Sequence, residues 1–104
     1  MHHDEKMKIA KAAATTVSKG QYIILDSGTT TTEIARSLLS FRRPTVITNA
    51  LNIAADLARS DFEVMLLGGT LRKNSLSVVG PLAEDVLKEI HADIVFLGFD
   101  GFDF

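Results

Sequence analysis

The chain has 104 residues, of which 46% are hydrophobic, and its 11 basic and 13 acidic residues give a formal net charge of −2. This length and composition predict a single globular domain, residues 1–104, with a substantial core. The absence of cysteine excludes disulfides and thiol chemistry. No apolar run approaches the roughly 18 residues of a membrane span, and no signal peptide is evident, so we expect a cytoplasmic protein without a membrane partner.

The basic residues are spread along the chain, and the local basic pairs are Arg42 with Arg43 and Arg72 with Lys73. DNA-binding domains usually concentrate Lys and Arg on one face to neutralise phosphates. No basic recognition helix is evident either. We therefore expect that this chain does not read DNA by itself.

Apolar periodicity alternates between helix and strand spacing along the chain. The first helix is predicted to end at Gly20 and to bury Ile9, Ala12, Ala13, Thr16 and Val17, with Lys6, Lys8 and Lys11 on the opposite face. Strands are predicted at 22–25, 45–47, 64–67, 77–79 and 94–97. The helices between them are predicted to bury Ile34, Ala35, Leu38, Leu39, Leu51, Ala54, Ala55, Leu57, Ala58, Leu82, Val86, Leu87 and Ile90.

The predicted strands are almost wholly apolar and are separated by helices. Continuous apolar strands are typical of parallel sheets that are covered on both faces. The sequence therefore predicts an α/β fold with three layers, in which helices pack on both faces of a mostly parallel sheet.

A run of hydroxyl side chains follows the first predicted strand and opens the next helix, at Ser27, Thr29, Thr30, Thr31 and Thr32. Helix N-termini carry unpaired N–H groups and positive potential, which suit a phosphate group. A simple N-cap needs only one hydroxyl, so five around Gly28 favour a binding site over a cap alone. We predict that Ser27, Gly28, Thr29, Thr30 and Thr31 bind phosphate.

Loops that follow parallel strands meet at the carboxyl edge of the sheet, where ligands bind in such folds. Four of these loops are polar or rich in glycine, at 26–30, 48–49, 68–72 and 98–101. Each alone is ordinary turn chemistry, but together they predict one pocket. Arg72 would supply positive charge for the ligand. Asp26, Asn49 and Asp100 would bind sugar hydroxyls or order the loops, and for Asp26 the two roles are equally favoured.

The motifs of several other ligand classes are absent. The chain has neither a Walker A loop nor a G-x-G-x-x-G fingerprint. A catalytic triad is not supported either, because Ser27 lacks the G-x-S-x-G nucleophile elbow and nothing in the sequence places His91 near Ser27. We therefore expect no catalytic residues, no cofactor and no metal.

The combined motifs resemble the effector-sensing, C-terminal domain of DeoR-family transcriptional repressors. The resemblance covers nearly the whole chain and is carried by 25–31, 47–49, 67–69 with Arg72, 79–80 and 93–101. The stretches 33–36 and 69–72, together with Ser75, look closest to members that control the use of amino sugars or galactosamine.

This resemblance implies a Rossmann-like fold of the sugar-phosphate isomerase type and a phosphorylated sugar as effector. The effector would modulate DNA binding by a separate winged helix-turn-helix domain, which the chain lacks. Carried over by motif, Ser27, Gly28, Thr29 and Thr30 would hold the phosphate. The residues at the sugar end would be Asn49, Gly68, Gly69, Arg72 and Asp100.

Family members continue with further strands and a lysine, so we expect this chain to be the leading part of a sensor, with an open edge that favours homo-oligomers. The competing hypothesis is a sugar-phosphate isomerase in which Asp100 or Asp103 is the base. No lysine or glutamate follows these residues to complete the catalytic set of an isomerase, which favours a sensor. A ligand-free interaction module is the third alternative.

Overall fold

The protein structure is a computed structural model that describes residues 2–40 and 44–98. In chain order its elements are α1 (His2–Ala14), β1 (Tyr22–Leu25), α2 (Thr29–Leu38), β2 (Thr45–Thr48), α3 (Leu51–Leu57), β3 (Val64–Leu66), β4 (Thr70–Arg72), β5 (Ser77–Val79), α4 (Pro81–Glu89) and β6 (Ile94–Phe96). The five predicted strands are confirmed to within one residue. The strand β4 was not predicted, because its residues were assigned to a loop. Arg42, Arg43, Asp100 and Asp103 lie outside the described residues.

The main sheet has four strands in the order β3-β2-β1-β6, and all its pairings are parallel. In its register Ile24 lies beside Ile47 on one side and beside Val95 on the other. β4 and β5 form a separate antiparallel hairpin. The prediction of a mostly parallel sheet is therefore confirmed.

Side chains of the two central strands alternate between two hydrophobic cores. Ile23, Leu25 and Val46 pack with residues of α1, α2 and α3 in the first core. Ile24 and Ile47 pack with residues of α4 and β5 in the second. Because neighbouring residues of a strand point to opposite faces, the two cores lie on opposite sides of the sheet. This arrangement confirms the three layers.

The predicted buried face of α1 is wrong in part, although Val17, just after the helix, is buried as predicted. Ile9 is 59% exposed, whereas Ala10 and Ala14 are buried. Alanine allows the close approach of α1 to α2 that a larger side chain would prevent, which decides the face. The helix also ends at Ala14 rather than at Gly20, because the N–H groups of Thr16 and Val17 donate to carbonyls three residues back instead of four.

The predicted faces of the later helices also need correction. α3 buries Ile53 and Leu57, which are four residues apart, while Ala55 and Ala58 are exposed. In α4, Leu82 is 69% exposed and Ala83 is buried instead. Leu39 and Val86 are also exposed. None of the helices in the described ranges 2–40 and 44–98 is long and apolar enough to span a membrane.

Candidate functional site: a polar pocket at the carboxyl edge of the sheet

The loop after β1 leads directly into the first turn of α2. Gly28 is the N-cap residue, with φ 150° and ψ 165°, a conformation that residues with a side chain rarely adopt. No side chain caps the helix. The N–H groups of a first helical turn have no acceptor within their own helix, and the macrodipole adds positive potential there. The start of α2 is therefore suited to an anion.

A cavity of about 560 Å³ lies in front of this helix start. Its volume is within the range of about 300–1,000 Å³ that small-molecule sites occupy. Most of its lining residues are polar or glycine; they are Ser27, Gly28, Thr29, Thr32, Asn52, Arg72, Asn74, Ser75, Leu76, Ser77 and Gly98. The cavity thus joins three of the predicted loops in one pocket.

The hairpin of β4 and β5 brings Arg72 to this pocket. The hairpin is held against the start of α3 by two backbone hydrogen bonds: the Leu51 N–H donates to the Leu76 carbonyl at 2.8 Å, and the Val78 N–H donates to the Asn49 carbonyl at 2.7 Å. Arg72 is exposed, and the structure gives it no hydrogen bond or ion pair with the described part of the chain. Its guanidinium can therefore pair with an anionic ligand.

Side chains of α2 and α3 form the floor of the pocket. The Thr32 hydroxyl donates to the Gly28 carbonyl at 2.6 Å and accepts from Nδ2 of Asn52 at 3.0 Å. On the hairpin, the hydroxyls of Ser75 and Ser77 are 2.7 Å apart and share a hydrogen bond. The sequence analysis missed Asn52, although an Asn in the first turn of a helix at this edge was an available signal.

The hydroxyl run does not line the pocket as a whole. Thr29 and Thr32 line it, because residues three apart share one face of a helix. Thr30 and Thr31 are not among the lining residues. Thr31 is fully buried, and its hydroxyl donates to the Gly28 carbonyl at 3.1 Å, so the structure does not bring its side chain to the predicted phosphate position.

Asp26 and Asn49 lie outside this pocket. Oδ2 of Asp26 accepts a hydrogen bond from the Gly98 N–H at 3.3 Å, a contact that corresponds to the tethering role considered for it. Both residues line a neighbouring, mainly apolar cavity of about 290 Å³. Oδ1 of Asn49 is buried and has no hydrogen-bond partner in the described ranges. Such an atom costs about 1–3 kcal/mol, so this amide is a candidate for a further polar contact.

Gly68 and Gly69 are exposed and are not among the residues that line the polar pocket. Gly69 has φ 148°, and a Cβ there would lie 2.7 Å from Cγ1 of Val78 and 2.8 Å from the Val79 carbonyl oxygen. Its lack of a side chain is therefore needed for the close pairing of the hairpin. Asp100, the last residue predicted for the sugar end, lies outside the described residues.

Comparison with known proteins agrees with this architecture. A family model described as the DeoR C-terminal sensor domain matches residues 1–104. The transcriptional regulator GolR of Listeria innocua is 41% identical over 95% of this chain and 39% of its own length. The transcriptional regulator GlpR of Haloferax volcanii is 38% identical over 94% of this chain and 38% of its own.

The glycerol-3-phosphate regulon repressor of Escherichia coli K12 is 33% identical, over 96% of this chain and 40% of its own length. The chain therefore spans about two fifths of the length of these relatives. The family model covers the whole sequence, and the predicted resemblance is confirmed. The chain belongs to the DeoR C-terminal sensor domain family.

Proposed function

We propose that this chain is the effector sensor of a DeoR-type transcriptional repressor and that it binds a phosphorylated sugar in the polar pocket. One observation carries the proposal: the start of α2 lines the same cavity as Arg72, which has no ion pair or hydrogen bond within residues 2–40 and 44–98. A helix N-terminus and a guanidinium are both suited to phosphate.

In this proposal the phosphate lies at the start of α2, against Ser27, Gly28 and Thr29 and the backbone of Thr30. Arg72 pairs with it from the hairpin. Each hydrogen bond to a charged group contributes about 1.5–3 kcal/mol, so a few such contacts can give useful affinity. The placement of Asn49 and Asp100 at the sugar end stays a prediction from the family resemblance.

The sugar then lies over the small polar side chains beside the phosphate. Asn52, Asn74 and Ser75 line the pocket and carry the donors and acceptors that sugar hydroxyls require. One relative carries a phosphorylated compound in its name, as the glycerol-3-phosphate regulon repressor, which supports a phosphorylated effector here. The amino-sugar subgroup stays a prediction.

A regulatory role is favoured over an isomerase. The relatives named above are transcriptional regulators and repressors. Among the described residues, the pocket lining includes no Asp, Glu or His that could remove a proton from a sugar. We infer that effector binding changes DNA affinity through a helix-turn-helix domain in the same protein.

Calorimetric titration with a hexosamine phosphate, with the unphosphorylated hexosamine in parallel, tests this proposal. Arg72→Met should weaken binding of the phosphorylated sugar about tenfold or more, because it removes a charge-assisted contact. Lys73→Met is the matched control, since Lys73 is the neighbouring exposed cation and does not line the pocket. Equal affinities for the two variants, or equal affinities for the two sugars, would contradict the proposal.

A further inference from the structure

A lysine of α1 does not line the polar pocket but contacts a residue that does. Nζ of Lys6 donates a hydrogen bond to Oγ1 of Thr29 at 2.7 Å. Thr29 is the first residue of α2 and lines the polar pocket. The periodicity predicts Lys6 on the face opposite the core with Lys8 and Lys11, but only those two are exposed, and Lys6 is half-buried.

We propose that Lys6 is a second cation of the anion site and that effector binding tightens the docking of α1 on α2. This inference rests on the proposed function, because it assigns a positioning residue and a regulatory consequence to the same phosphate.

The electrostatics of the contact favour an anion. Lys6 places an ammonium group at the positive end of the α2 dipole, where a cation is unfavourable and an anion is stabilised. Arg72, which lines the pocket, is the first cation of the site and adds to this positive potential. A bound phosphate offsets these unfavourable interactions, since it is attracted to both cations and to the helix start. The Lys6 ammonium should therefore be held more firmly at the start of α2 when the pocket is occupied.

The geometry of α1 connects this contact to the core. Lys6, Ala10 and Ala14 follow one another at intervals of four residues, so they lie on one face of the helix. Ala10 and Ala14 are fully buried in the core that α1 shares with α2. Lys6 thus extends the packed face of α1 to Thr29, which lines the pocket, so a phosphate bound there would act on the same helix face.

The position of α1 gives this coupling a regulatory use. α1 precedes all other elements of the described chain, and the family is described as a C-terminal sensor. In a regulator of that design, the part that precedes the sensor lies on the N-terminal side of α1 in sequence. A phosphate that strengthens the docking of α1 on α2 would therefore make the position of α1 depend on whether the pocket is occupied. The part of the regulator that precedes the sensor could respond to that change.

The test compares Lys6→Met with Lys8→Met, which removes the same charge from an exposed lysine two residues away. The hexosamine phosphate should bind about three- to tenfold more weakly to Lys6→Met, while Lys8→Met retains the parent affinity. Hydrogen exchange of the α1 amides should slow on ligand addition in the parent chain and in Lys8→Met, but not in Lys6→Met. Lys6→Arg should restore both effects, which a folding defect at this position would not permit.

The outcomes separate the two proposals. If the parent chain binds the phosphorylated sugar and Arg72→Met does not, but Lys6→Met matches Lys8→Met in affinity and in exchange, only the inference about Lys6 is overturned. If the parent chain binds no phosphorylated sugar, the proposed function fails and the inference fails with it.

Discussion

Gly98 lies directly against the backbone of Ser27, so that a Cβ at position 98 would overlap the Ser27 carbonyl oxygen. The same Cβ would be 2.8 Å from the Ser27 carbonyl carbon and 3.3 Å from Cα of Gly28. The Gly98 N–H also donates to Oδ2 of Asp26. The end of β6 therefore holds the loop that precedes α2, and only glycine permits this approach.

We predict that Gly98→Ala displaces this loop and weakens binding of a phosphorylated sugar about tenfold. The reason is that a small shift of Ser27 and Gly28 misaligns the groups that contact the phosphate. Gly68→Ala is the matched control, since a Cβ at Gly68 meets no atom within 4 Å. Titration calorimetry measures both affinities, and circular dichroism shows whether both variants fold. Parent-like affinity in a folded Gly98→Ala variant would mean that the loop tolerates the displacement.

A second prediction concerns the buried hydroxyl that joins β1 to β2. The Thr48 hydroxyl donates to the Leu25 carbonyl at 2.6 Å and accepts from the Ala50 N–H at 3.1 Å, and Thr48 is fully buried. Thr48→Val keeps the shape and leaves both backbone groups unpaired, so the free energy of unfolding should fall by about 1–3 kcal/mol.

Urea denaturation measures that loss. Thr45→Val is the control, because Thr45 begins the same strand and is only half-buried. It should change stability by less than Thr48→Val does. A Thr48→Val variant as stable as the Thr45→Val variant would show that water or backbone adjustment satisfies the two groups.

The five predicted strands were predictable because each is a short, mainly apolar run bounded by turn residues, although β3 and β6 are only partly buried. β1 and β5 have the predicted bounds. β4 could not be recognised in this way, since its three residues, Thr70–Arg72, form no apolar run and are all exposed. The helix faces were less predictable, because the apolar stripes were broad. The contact with α2 selected Ala10 over its larger neighbour Ile9.

The candidate site was predictable in part, because one of its segments has a local sequence signal. The hydroxyl run indicated a helix start at the carboxyl edge, but it could not show which hydroxyls face the cavity. That selection depends on the rotation of α2, which brings Thr29 and Thr32 to the pocket and buries Thr31. Asn52 and Lys6 reach the site from other elements, and only the packing of those elements reveals them.

A third prediction is that the chain self-associates. β6 is the last strand in the described order of the main sheet, and Val95 and Leu97 are 51% and 57% exposed. An apolar surface beside an open strand edge favours association. Val95→Lys should therefore shift sedimentation toward the monomer.

Leu39→Lys provides the comparison, because it adds the same charge at an exposed leucine just after α2. It should leave the sedimentation of the parent chain unchanged. A parent chain that sediments as a monomer at high concentration would refute the prediction, and so would equal effects of the two lysine substitutions.

The last prediction is that the chain does not interconvert aldose and ketose phosphates. That reaction needs a base within hydrogen-bond reach of the sugar and a fixed group that stabilises the enediolate, and a well-placed base contributes about 10²–10⁴-fold. In the described part of the pocket lining, the ionisable side chain is Arg72, which we assign to the phosphate. Pentose and hexosamine phosphates should therefore show background conversion in a coupled assay. Turnover that follows the purified chain and is lost in Asp100→Asn or in Asp103→Asn would instead establish an isomerase, because Asp100 and Asp103 are the two bases that the sequence offers for that reaction.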